Sequence, residues 1–350
     1  MKFFSSLALI LLLGWGCVSE IPEQTTLSAD QVVDTSVSTA QTDEPKIYVS
    51  FIQNVHDWVF PENSLATINR LIDLHEQYQV PVEFYLDDQV IQKYLELEPT
   101  IFDRFKTSAF VTISYHIRPP HPAYDGFDTI GLAQMSEEEQ YETLLTYETH
   151  RLNLVTGGYT DEPGGYAFLK ELIGYAPRIV TQTSSRNYGA SLSRVYQEMG
   201  ALFTVVHGRD STIDQTILGL HQRPEQVEVK LYEDTYSRGF SAQTRFDEWT
   251  ADWDGSSDYF INLKYHEGNF YTQGTSFALV YWEKVRQGRE KSEPKSPPYD
   301  LTAGDNTEFR TEAEQAEEWQ IYEETLAYVA EHTNEFTAIT SIDLENMLDE

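Results

Sequence analysis

Short runs of β-branched and aromatic residues alternate with amphipathic helical stretches along most of this chain, and that alternation limits the fold more than any other feature. Residues 46–55 (KIYVSFIQNV), 80–86 (VPVEFYL) and 108–115 (SAFVTISY) read as strands, as do 178–183, 201–207, 227–232, 259–265 and the short 336–340. Between the first two, Leu65, Ile68, Leu71, Ile72 and Tyr78 share one helical face, with Asn63 or Ser64 as the candidate cap. Ser136 and Thr311 each stand three residues before a Glu, the capping-box spacing. The first should open a helix carrying Tyr141, Leu144, Leu145 and Leu152, the second a helix carrying Trp319, Tyr322, Leu326 and Val329. Strands separated by helices form parallel βα units, and seven or eight of them predict an α/β fold, a distorted (β/α)7–8 barrel in one domain over 45–345. A doubly wound open sheet is the alternative, weakened because no glycine-rich phosphate loop follows the first strand.

In such a barrel the loops after the strands surround one pocket, so what stands there matters. The first strand runs into His56-Asp57-Trp58, the second into Asp87-Asp88, the third into His116 and then His121. Later strands end at His207 and at His266-Glu267. Five of the nine histidines thus fall at or just past strand ends, whereas His75, His150 and His332 sit in predicted helices. Each group also has a structural use: Asp57 can cap a loop, and Asp87 or Asp88 can cap the next helix. In SYHIRPPHP, Pro119, Pro120 and Pro122 stiffen the segment that carries two imidazoles, a pairing that suits zinc or a similar divalent ion. Trp58, Tyr85, Tyr115, Tyr124, Tyr188 and Tyr265 lie near the same positions, where aromatic faces can stack on sugar rings.

Charge and cysteine content narrow the chemistry. With 24 basic against 57 acidic residues the chain carries −33, which disfavours nucleic-acid binding. Its one cysteine, Cys17, leaves no disulfide framework and no cysteine zinc site. Cys17 ends the apolar stretch 3–15 and the run Gly14-Trp15-Gly16-Cys17, which looks like a bacterial lipobox. Residues 1–17 are then a signal peptide, Cys17 carries the lipid, and the polar 18–44 tethers the domain to a membrane facing the periplasm or exterior. An ordinary secretory signal is the alternative. The stretch 287–310, with Pro294, Pro297, Pro298 and Gly304, cannot be one helix and is a surface excursion or a lid.

Two segments resemble the NodB-type polysaccharide deacetylases: SLATINRLIDLHEQYQVPVEFYL, and SSRNYGASLSRVYQEMGALFTVVHG with its Arg186-Asn187-Tyr188-Gly189 core. The order Asp57, His116 and His121, Arg186, His266 is similar to that family's motif order. The pattern departs in having one Asp and one His in the first motif, and four residues between His116 and His121. The resemblance implies a metal-dependent deacetylase acting on an acetylated glycan. Asp57, His116 and His121 would hold the metal, His266 would be the general acid, and Arg186 would orient a carboxylate. Glu267 or Asp87 would stand in for the missing base, and Trp58, Tyr188, Asp87 and His207 would meet substrate. Two other readings stay open: a metal-free glycosidase using two of Asp57, Asp87, Asp88 and Glu267, and a surface lipoprotein that binds glycan without turnover.

Overall fold

The computed structural model describes residues 44–124, 126–181, 188–206, 210–230, 239–284 and 293–349. Cys17, nearly all of the tether, Arg186 and His207 lie outside the described residues. In chain order the elements are β1 (Ile47–Val55), α1 (Pro61–Tyr78), β2 (Val82–Leu86), α2 (Asp88–Leu97), α3 (Ile101–Thr107) and β3 (Val111–Tyr115). There follow α4 (Glu137–Tyr147), β4 (His150–Leu152), β5 (Tyr159–Pro163), α5 (Gly165–Ile173), β6 (Ile179–Val180), α6 (Gly189–Met199) and β7 (Phe203–Thr204). The chain continues through β8 (Thr216–Ile217), β9 (Leu220–Gln222), β10 (Val227–Lys230), α7 (Ala242–Trp249) and β11 (Tyr259–His266). It closes with α8 (Ala278–Tyr281), α9 (Glu312–Glu331), β12 (Phe336–Ala338) and α10 (Ser341–Leu348).

One sheet runs β10-β11-β1-β2-β3-β6-β7-β9-β8, with β12 beside the first half of β1. Every pairing in it is parallel except β8 with β9. The sheet curls into a half-barrel, the distorted barrel that the strand–helix alternation predicts. Its curl is visible in one side chain: Arg223, just past β9, donates to Glu83 (2.7 Å) and Tyr85 (2.6 Å) on β2 and to Asn262 (3.3 Å) on β11. The concave face carries a small apolar cluster of Tyr48, Ile52, Tyr85, Ile179, Phe203 and Phe260, joined by Leu344 of α10. The convex face, through Val49, Phe51, Val82 and Phe84, packs on the Leu65, Ile68, Leu71 and Ile72 stripe of α1 within the main core. All nine residues of β1 are buried, Gln53 and Asn54 included, because a central parallel strand is covered on both faces. Gln53 donates to the Tyr322 hydroxyl (3.0 Å), which lies 2.6 Å from His75 Nε2.

Local signals held where neighbours in sequence decide the structure. Both capping boxes form, at Ser136 and at Thr311. Three expectations change. The first helix starts at Pro61 rather than behind an Asn63 or Ser64 cap, since proline suits its first turn; Ser64 is buried and pairs with the Tyr94 hydroxyl at 2.6 Å. Leu152 is not helical: α4 ends at Tyr147, and Leu152 belongs to the β4–β5 hairpin, its N–H donating to Asp88 (2.9 Å). Gly165, at φ +62, packs so tightly on the end of α4 that a Cβ there would meet the Tyr147 carbonyl at 2.7 Å. The described part of 287–310 is a packed excursion, with Phe309 against Phe60 and Tyr299 against Tyr281. Among the described residues no helix is long and apolar enough to cross a membrane.

Candidate active site

Parallel register lines up the strand ends and so builds the site. Asn54 of β1 pairs with His266 of β11, which sets His56 beside His266; the two ring centroids are 4.7 Å apart. Leu86 of β2 pairs with Tyr115 of β3, and the His116 N–H donates to the Leu86 carbonyl (2.9 Å), which sets His116 beside Asp87. His116 is 6.5 Å from His56, and Phe277 closes the other side of the His56 ring at 5.2 Å. A cavity of about 640 Å³ opens over this rim, lined by His56, His266 and Glu267, by the aromatic rings of Tyr124, Phe277 and Trp282, and by Arg118, Lys284 and Arg310.

The acids at this rim have distinct jobs. Asp57 is an acceptor hub: one oxygen takes the N–H groups of Val59 and Phe60 (both 3.1 Å) and the Ser276 hydroxyl, the other the Tyr271 hydroxyl (2.6 Å). Burial, and then the Asp57 charge, hold the Tyr271 hydroxyl protonated far above its ordinary range, so it donates. Glu267 turns one oxygen toward the backbone N–H groups of His56 (2.6 Å) and Asp57 (2.5 Å), pinning β11 to the end of β1. Its other oxygen is buried without a hydrogen-bond partner among the described residues. Burial, reinforced by Asp57, pushes the Glu267 carboxyl up to about 8, so at neutral pH it carries a proton. Asp87 caps α2 by accepting from the Val90 N–H (2.8 Å) and is pushed up to about 7 by burial. Asp88 accepts from Leu152 and Gly165 N–H groups (both 2.9 Å), a structural use.

The imidazoles divide in the same way. His56 is buried at the cavity wall, with neither ring nitrogen bonded to a protein atom among the described residues. Burial, then the charge of Arg118 and the neighbouring His266 and His116, hold it neutral, well below the usual histidine range. His116 donates from Nδ1 to the Ile117 carbonyl (2.7 Å). The His266 side chain accepts from the Asn269 backbone N–H, and the His266 backbone N–H donates back to the Asn269 side-chain oxygen (3.2 Å).

His121 is directed elsewhere: its Nδ1 accepts from Ala123, and Nε2 faces Glu148 at 3.2 Å. Glu148 is itself held by the Tyr196 hydroxyl (2.6 Å) and the Tyr166 N–H (3.0 Å). The expected ligand set of Asp57, His116 and His121 is therefore not brought together. Asp57 is committed to four donors, His121 Nε2 faces Glu148 without a hydrogen bond to it, and among the described residues no three His, Cys, Asp or Glu side chains converge to hold a metal ion. Zinc does not fit this donor set.

Of the expected substrate contacts, Trp58 packs on Tyr281 (6.2 Å) in the core and Tyr188, just before α6, is buried in the same core. The aromatic walls are instead Tyr124, Phe277 and Trp282, with Tyr124 and Trp282 6.4 Å apart. Arg118, also overlooked in sequence, carried a signal: it is the cation inside the proline-stiffened segment between the two histidines.

No protein-family model and no curated protein matches the chain. Several solved structures do, and several of those are polysaccharide deacetylases. A putative polysaccharide deacetylase from Mycobacterium smegmatis matches at 13% identity and a TM-score of 0.44, over 87% of this chain and 91% of that one. A probable polysaccharide deacetylase from Pseudomonas aeruginosa PAO1 matches at 13% and 0.44, over 86% and 90%. A 4-alpha-glucanotransferase from Thermococcus litoralis matches at 12% and 0.46, over 86% of this chain, which spans 40% of that protein's length.

Proposed function

We propose that the rim cavity is the active site of a carbohydrate-directed hydrolase that removes an acyl group from an acylated glycan. The observation that carries this reading is the pairing, at one cavity, of an imidazole held neutral with a carboxyl held protonated, His56 and Glu267. Environments that push two titratable groups in opposite directions separate a base from an acid. His56 takes a proton from a water as its oxygen bonds to the acyl carbon; Glu267 gives its proton to the nitrogen or oxygen that leaves as the acyl bond breaks. The proton on His56 then restores the Glu267 carboxyl. Tyr124, Phe277 and Trp282 supply apolar faces for the sugar. Glu267 is thus an acid here, not the base that the family resemblance implied. No step runs through a metal, because the donors for one are dispersed. A glycosidase reading is less well served, since both oxygens of Asp57 and of Asp88 are engaged by hydrogen bonds from this chain, and Asp87, which keeps one oxygen unpartnered, is not among the residues lining the cavity. Attachment to a bacterial envelope through lipidated Cys17 is part of the same proposal.

The test is acetate release from N- and O-acetylated oligosaccharides by the purified protein, with and without chelator. Turnover should persist in chelator and fall on the order of 100-fold in Glu267→Gln. Absence of release from every acetylated glycan, or an unchanged rate in the variant, would overturn the reading. Glycan binding without turnover is the second reading, and the dispersed Asp57, His116 and His121 favour it.

A further inference from the structure

We propose that the cavity selects glycans bearing a carboxylate, and that Arg118 is the residue that reads it; this rests on the hydrolase reading only in taking a sugar as the occupant. In a chain of net charge −33, most of the described guanidinium groups have an acid nearby. Arg104, Arg151, Arg178, Arg194, Arg223 and Arg310 each meet a carboxylate at 3.3 Å or less. Arg118 meets none among the described residues. Among the described residues its guanidinium reaches the Tyr124 hydroxyl (3.4 Å) and His266 Nε2 (3.5 Å), and its Nε is buried without a partner. Asp87, whose carboxyl feels the Arg118 charge, accepts instead from the Val90 N–H.

The surroundings favour an anion. Arg118, Lys284 and Arg310, the last also meeting Glu318, line the cavity, against the Asp57 carboxylate, whose oxygens are turned to four donors of the chain. A low-dielectric cavity focuses that local field even though the molecule as a whole is acidic. Arg118 also sits where a substituent would fall. Its hydroxyl contact, Tyr124, meets Trp282 edge-on at 6.4 Å in the wall of the same cavity, so a sugar ring laid against that wall brings a ring carboxylate to the guanidinium edge. The planar edge of a guanidinium matches two carboxylate oxygens. Pro119 and Pro120 restrict the backbone that presents it, lowering the ordering cost of binding.

Titration calorimetry with hexagalacturonate and with its methyl ester tests this without requiring turnover. The acid should bind wild-type protein at least about tenfold more tightly than the ester, since charge-assisted hydrogen bonds are worth that much or more. The preference should collapse to about twofold in Arg118→Gln, and Arg118→Lys, which keeps the charge but not the fork, should fall between. Equal binding of acid and ester, binding of neither, or a preference unchanged in Arg118→Gln would overturn the inference. A sulfated maltohexaose bound more tightly than the hexuronate would overturn the choice of carboxylate. The wild-type protein separates the two claims: an acid preference in wild-type protein that releases acetate from no acetylated glycan sinks the hydrolase and leaves this assignment standing.

Discussion

Glu267→Gln should remove a large share of the loss of stability between about pH 5 and about pH 8. In the folded chain the Glu267 carboxyl is held up to about 8 by burial and by Asp57, against an ordinary value of 4.5. As pH rises through that interval the unfolded chain gives up the proton and the folded chain keeps it, so the native state loses ground. Each unit of separation is worth about 1.36 kcal/mol, so between about pH 5 and about pH 8 this one group should remove about 3–4 kcal/mol of stability. Glutamine keeps the oxygen that accepts from His56 and Asp57 and replaces the protonated oxygen with an amide of similar size. The variant should therefore match the wild type to within about 1 kcal/mol near pH 5 and gain about 3–4 kcal/mol on it near pH 8. Other groups also bend the wild-type curve. His75, held down to about 3 by burial, makes stability rise with pH below its ordinary 6.5, and it does so equally in both proteins. The difference between the two proteins isolates Glu267. Urea unfolding followed by far-ultraviolet circular dichroism is the assay; with an m-value of ~3 kcal/mol/M the midpoints should part by ~1 M at the alkaline end. A difference that stays constant with pH would refute the protonated carboxyl, and with it the proton donor assigned above.

Two further outcomes test the interior and the anchor. Arg223→Met strands the fully buried Glu83, which it reaches at 2.7 Å, and should cost about 3–5 kcal/mol in urea unfolding; adding Glu83→Gln should recover most of it, and a loss below about 1 kcal/mol would mean the pair does not brace the half-barrel. Cys17→Ser, expressed in a bacterium, should move the protein from the membrane to the soluble fraction, and continued membrane retention would remove the lipid anchor from the proposal.

Much of the scaffold was legible because its signals are local. The first three strands, β11 and the long helices α1, α4 and α9 each stand out by periodicity, and the caps at Ser136 and Thr311 are read from residues three apart. The gathering of His56, Asp57, His116, His266 and Glu267 at one end of the sheet was legible too, because parallel strands end on the same side. Side-chain roles were not. Asp57 reads as a metal ligand until Tyr271 and Ser276, more than 200 positions away, are seen to occupy its oxygens. His121 reads as its partner until Glu148 draws it aside. Leu152 fits the helical period, yet the Asp88 carboxylate holds its N–H in the hairpin.

By itself the sequence determined the alternation of elements, and through it the end of the sheet where reactive groups collect, because helix and strand preferences act over a few residues and parallel pairing does the rest. Only the tertiary structure decided which of those groups titrate abnormally, which are spent on hydrogen bonds and which face the cavity. Burial and the identity of a hydrogen-bond partner belong to residues distant in the chain, and they set protonation far more strongly than residue type does.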